Sequence, residues 1–109
     1  MAVQKEARGA ARRVLRCPAL LTLPGGATVK ARTFDVSMSG ISLMLDGPLA
    51  AGERYMIAFE AFAAGKVLKI NVAARAIHCA LSGTEGFRVG FQFEHNDEAA
   101  LKAIRQLLS

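Results

Sequence analysis

The segment that most constrains the fold is Phe87 to Glu94, where Phe87, Val89, Phe91 and Phe93 alternate with Arg88, Gly90, Gln92 and Glu94. Side chains in a strand alternate between two faces, so this stretch has one apolar face and one polar face. Such an element is not stable by itself and needs neighbouring strands and an opposing apolar layer. The rest of the chain supplies them. Residues 14–23 and 27–36 flank Pro24-Gly25-Gly26 and read as a hairpin. Gly40 to Asp46 and Arg54 to Glu60 make two further strands, punctuated by Gly47-Pro48 and Ala51-Gly52. A fifth, from Val67 to His78, puts Leu68, Ile70, Val72, Ala74 and Ala76 on one face and Lys69, Asn71 and Arg75 on the other. The period changes only after Asn96 or Asp97, either of which can cap a helix, and Leu101, Ile104 and Leu108 then recur at helical spacing. The expected fold is mainly β, a six-stranded antiparallel barrel with a C-terminal α-helix covering an open end or side.

The 109 residues fit one domain, read as residues 12–109 preceded by a flexible basic arm over residues 1–11 that lacks a strand pattern. Charge is concentrated at that end. Residues 1–16 carry Lys5, Arg8, Arg12, Arg13 and Arg16 against Glu6 alone, which accounts for four of the five net positive charges. A basic arm on a nearly neutral body suits a localised anionic partner. No apolar run reaches the roughly 18 residues that cross a bilayer, and Arg16 and Pro18 interrupt any signal-like stretch, so a cytoplasmic location without membrane insertion is expected. Cys17 and Cys79 fit neither a disulfide scaffold nor a zinc spacing and read as small core residues. His78, Cys79 and His95 lack a fourth ligand, so no metal is expected.

Two motifs carry the chemistry: Arg12-Arg13-Val14-Leu15-Arg16, an R-x3-R, and Asp35-Val36-Ser37-Met38-Ser39-Gly40, a D-x-S-x2-G. Alone, the first is a solvated face and the second a strand ending in an Asx-type turn. The hairpin brings them together. A turn centred near Gly25 sets residues opposite when their numbers sum to about 50 or 51, which places Arg16 beside Phe34 and Asp35. Three guanidinium groups, a carboxylate, a hydroxyl and a glycine then meet at one end of the barrel. Guanidinium forks pair with phosphate oxygens and with the O6 and N7 acceptors of guanine. An ionised carboxylate only accepts, so Asp35 repels phosphate and suits the N1–H and amino donors of guanine. The mixed charge favours a nucleotide over bare phosphate.

In these residues the chain resembles the PilZ family of cyclic di-GMP receptors, which carries an RxxxR motif followed one hairpin later by [D/N]xSxxG. Val89-Gly90-Phe91-Gln92-Phe93 is similar to the family's last barrel strand, and the likeness extends over residues 8–108. The resemblance implies that cyclic di-GMP binds through Arg12, Arg13 and Arg16, that Asp35 and Ser37 contact a base, and that Gly40 shapes the turn. It also implies an arm that folds over the ligand and signals to a downstream protein whose identity the sequence does not give, with motility and biofilm formation as the processes concerned. Ser39 stands where the family often has glycine, a departure that removes no ligand-binding group. The parity of His78 matches the apolar face of its strand; it reads as a packed strand-end residue, with stacking on a guanine at the barrel mouth as the second reading.

Other functions fit less well. A nucleotide-independent adaptor occurs in the family when the arginines are lost, and here they are kept. A nucleic-acid-binding barrel is permitted by the arm and disfavoured by the neutral body, so no nucleic-acid partner is expected. The phenylalanines of the last strand share the face of Val89 and read as core rather than as a stacking platform. No nucleophile–base pair, phosphate-binding glycine loop or paired carboxylates point to an enzyme, and no cofactor beyond the ligand is expected.

Overall fold

The computed structural model describes residues 12–94 and 97–109; the arm expected over residues 1–11, and His95 and Asn96, lie outside the described residues. Strands β1 (Arg13–Val14), β2 (Pro18–Thr22), β3 (Thr28–Val36), β4 (Gly40–Leu45), β5 (Arg54–Ala63), β6 (Lys66–Leu81) and β7 (Phe87–Phe93) precede helix α1 (Glu98–Leu108). Hydrogen bonding runs β3-β2-β5-β6-β7-β4, and β4 pairs back onto β3, so six strands close an antiparallel barrel and leave no open edge among them. Leu21, Val36, Leu43, Ile57, Val72 and Val89 are fully buried within it. No helix among the described residues is long and apolar enough to cross a membrane.

The helix starts where its cap dictates. The Asp97 carboxylate accepts from the Ala100 N–H at 3.1 Å, and Glu98 in the first turn and Arg105 in the last complement the helix dipole. Ala100, Leu101, Ile104 and Leu107 are buried as α1 packs over β6 and β5, whereas Leu108, expected on the apolar stripe, is only partly covered.

The first strand differs from expectation. It is broken at Leu15 to Cys17, because the proline at 18 brings no N–H and the chain bulges there. The buried Thr33 hydroxyl accepts from the Cys17 N–H at 2.9 Å and donates to the Leu15 carbonyl, so the bulged backbone stays hydrogen-bonded. The slip changes the register from Pro18↔Arg32 in β2 to Arg13↔Val36 in β1. At the other hairpin, β5 and β6 run further than expected, to a two-residue turn at Ala64 and Gly65 with φ of 52° and 78°. That is a type I′ pattern without the usual Asn-Gly or Asp-Gly signal.

Two further irregularities decide which side chains face outward. The β3–β4 register passes from Thr33↔Leu43 to Asp35↔Ser42 with Phe34 extra, and the β6–β7 register passes from Ala76↔Phe91 to His78↔Gly90 with Ile77 extra. In an unbroken strand Asp35 would share the inward face of Thr33, and His78 that of Ala76. Each bulge reverses the sense. Asp35, Ser42, Gly90 and His78 therefore form one row across β3, β4, β7 and β6 on the outer face of the barrel. The strand-parity reading that grouped His78 with the apolar face is thereby corrected: His78 is exposed.

Candidate functional site

The row lies near the barrel end where β3 turns into β4. Ser37 organises that turn: its buried hydroxyl accepts from the N–H groups of Ser39 at 3.2 Å and Gly40 at 3.3 Å, while its own N–H donates to the Gly40 carbonyl at 2.8 Å. Gly40 is needed for proximity rather than for a left-handed turn. A Cβ there would collide with the Phe91 carbonyl oxygen of β7.

Arg12 crosses from the segment before β1 and donates to Asp35 Oδ1 at 2.7 Å and to the Ser37 hydroxyl at 3.3 Å. Arg88 reaches Asp35 Oδ2 from β7 at 3.3 Å. The bulged Phe34 also packs against two of the cations, with the Arg16 guanidinium 4.5 Å and the Arg88 guanidinium 4.0 Å from its ring centroid. Arg12, Arg16 and Arg88 thus surround one carboxylate and one aromatic ring. Arg13 is turned away: as the neighbour of Arg12 it faces the other side, and it donates to the Leu107 carbonyl in the last turn of α1 at 2.6 Å.

A pocket of about 370 Å³ opens beside these groups, lined by Arg12, Ser42, His78, Arg88, Gly90 and Gln92 among others. His78 lies on the backbone of Gly90; a Cβ on Gly90 would stand 2.5 Å from His78 Cε1. A larger groove of about 960 Å³ crosses β2, β3, β5 and β6, but it is mostly apolar, whereas the two arginines that hold Asp35, Arg12 and Arg88, both line the smaller pocket. Burial by itself would raise the Asp35 pKa, yet the bond from Arg12, the Ser42 hydroxyl, and the charges of Arg12 and Arg88 outweigh it and hold the carboxyl below its ordinary value. Asp35 is therefore an anion at neutral pH, with acceptor capacity left on the carboxylate.

Of the residues singled out in the sequence, the structure brings together Arg12, Arg16, Asp35, Ser37 and Gly40, adds His78 at the far wall of the pocket, and sends Arg13 to α1. Sequence reasoning missed Phe34, Ser42, Arg88 and Gly90. Arg88 and Gly90 sit on the polar face of the Phe87–Phe93 alternation, where nothing marks them from ordinary solvent-facing positions. Cys17 and Cys79, expected in the core, are free thiols packed partly buried against it.

A protein-family model described as "PilZ domain" matches residues 5–109. No curated protein sequence matches significantly. Among solved structures, the Bacillus subtilis inhibitor of motility MotI/DgrA superposes with a TM-score of 0.75 at 13% identity, covering 93% of this chain and 49% of that one. The PilZ domain of YcgR from Escherichia coli, solved with cyclic di-GMP, gives 0.69 at 17% identity, covering 91% and 86%. PlzA of Borreliella burgdorferi, also in complex with cyclic di-GMP, gives 0.67 at 13%, covering 98% and 43%. The chain thus spans about half the length of MotI/DgrA and less of PlzA. At these identities the likeness is one of fold.

Proposed function

The chain belongs to the PilZ domain family, and from that premise we propose that it is a receptor domain for cyclic di-GMP, which binds at the outer pocket beside Asp35. The observation that carries this reading is the pairing of Arg12 with Asp35 beside the pocket, with Arg16 on the adjoining Phe34 ring, groups suited to phosphate on one side and to the donor edge of guanine on the other. Asp35 accepts from guanine N1–H and the amino group, and Arg12 and Arg16 take phosphate or the O6 and N7 edge. Ser37 and Gly40 keep the Asp35 loop in shape against β7. His78 offers its ring to a base at the far wall.

Arg13 joins the ligand by leaving the Leu107 carbonyl. Residues 1–11 form a basic arm that closes over the nucleotide, residues 12–109 are the binding domain, and the rearranged arm presents a surface to a downstream protein. Folding on binding and population shift both allow such a signal. The domain acts in the cytoplasm as a binding module rather than an enzyme.

Titration calorimetry with cyclic di-GMP tests the reading: saturable binding with a defined stoichiometry is expected, and no heat at millimolar nucleotide rejects it. Hydrogen exchange tests the arm. Amides over residues 8–16 should gain protection on binding while those of Phe87–Phe93 change little; an arm protected equally with and without ligand rejects the switch.

A further inference from the structure

We propose that Arg88 is a specificity-determining residue of this pocket, which locks the Asp35 carboxylate in the orientation that reads guanine; the inference rests on the cyclic di-GMP reading given above. Arg88 and Asp35 are 53 positions apart in the chain, and nothing in the sequence motifs connects them. The barrel does. β7 lies beside β4, β4 beside β3, and Arg88 projects from the outer face two residues before Gly90, which stands in the Asp35 row.

A carboxylate held from one side can rotate about its Cβ–Cγ bond. Asp35 is held from both, with Arg12 on Oδ1 at 2.7 Å and Arg88 on Oδ2 at 3.3 Å. Arg12, Arg88 and the Ser42 hydroxyl together take three of the roughly four lone-pair sites of the carboxylate, so the locked group presents one fixed acceptor to the adjacent donors, N1–H and the amino group, of a guanine. Adenine has no such donor pair: its N1 is an acceptor, and a fixed anionic oxygen repels it. Arg88 is itself braced, since its planar guanidinium lies 4.0 Å from the centroid of Phe34, the residue that the β3 bulge leaves unpaired. The bulge that turns Asp35 outward therefore also supplies the platform that steadies its second anchor.

Charge gives a separate contribution. Arg12, Arg16 and Arg88 against Asp35 leave a local excess of two positive charges, equal and opposite to the two phosphates of a cyclic dinucleotide. That part of the attraction does not depend on the base. The two roles separate experimentally.

The test is parallel titration of cyclic di-GMP and cyclic di-AMP into the wild-type chain, Arg88→Ala and Arg88→Lys, with melting curves for each, and the exposed Arg105→Ala as a control for charge alone. Loss of Arg88 should weaken cyclic di-GMP by about tenfold or more, the scale of a hydrogen bond to a charged group. Cyclic di-AMP should lose only a few-fold from the missing charge, so the preference between the two ligands shrinks. Arg88→Lys should recover the shared electrostatic part without the preference, because an ammonium has no planar fork to lie on Phe34. If Arg88→Ala does not fold, the neutral Arg88→Gln takes its place. Unchanged cyclic di-GMP affinity, equal losses for both nucleotides, or a preference fully restored by lysine would each overturn the role of Arg88 while leaving the receptor reading intact. A wild-type chain that binds neither nucleotide overturns both.

Discussion

Replacing Asp35 by alanine should separate stability from recognition. The Asp35 side chain is 12% exposed, but its partners Arg12 and Arg88 are 46% and 40% exposed. Truncation therefore leaves two guanidiniums that regain water, not two buried unpaired charges. The loss should follow the scale of surface ion pairs, about 0–1 kcal/mol, rather than the 3–5 kcal/mol of a broken buried pair. For a domain near 100 residues that corresponds to a fall in melting temperature of at most about 4–8 °C. Recognition should suffer more. A hydrogen bond from guanine to a charged acceptor is worth about 1–3 kcal/mol, so cyclic di-GMP affinity should drop by about 5- to 150-fold. The deletion also raises the local charge, so binding driven by phosphate alone, read with cyclic di-AMP, should not weaken. Scanning fluorimetry and calorimetry on the same preparations measure both. An Asp35→Ala protein that melts and binds cyclic di-GMP as the wild type does would refute the assignment, and a fall in melting temperature far beyond 8 °C would refute the view that its two arginine partners simply regain water.

Wild-type protein should bind cyclic di-GMP far more tightly than cyclic di-AMP, because adenine presents an amino donor where an arginine fork needs the O6 acceptor; equal affinities in parallel titrations would remove base reading from the site. Because Asp35 is held below the ordinary value of 3.8, its ionised form favours the fold above that pH, and the contribution is lost as pH falls through the lowered folded-state pKa. Acid melting should therefore destabilise the wild type more than Asp35→Asn, and parallel acid curves would contradict this. Gly40→Ala should cost about 1–3 kcal/mol, since the new methyl meets the rigid Phe91 carbonyl. Gly25→Ala, with nothing within 4 Å of its added Cβ, should melt within a degree or two of the wild type in the same assay.

The sequence alone determined the architecture and brought together part of the candidate site. Period-two alternation in Phe87–Phe93 and Lys66–Ala76 reports burial of one strand face, a property each strand carries locally, and it survives in the closed barrel. The Pro24-Gly25-Gly26 turn set the β2–β3 register, with Pro18 opposite Arg32, and that register put Arg16 beside Phe34. Asp97 could be read as a cap because its oxygen serves an N–H only three residues away. Tertiary structure decided the remainder. Whether a strand bulges depends on how two partners with different twist and side-chain volume can pair, which the one-strand pattern does not contain. The bulges at Phe34 and Ile77 therefore turned Asp35 and His78 outward, for His78 against the strand parity that grouped it with Ala76. Arg13 was separated from Arg12 because it lies in β1 while Arg12 precedes it, and the last turn of α1 offered a carbonyl without a helical partner. Arg88 reached Asp35 only because the barrel closes through β3, β4 and β7, a pairing of distant segments that no local propensity records.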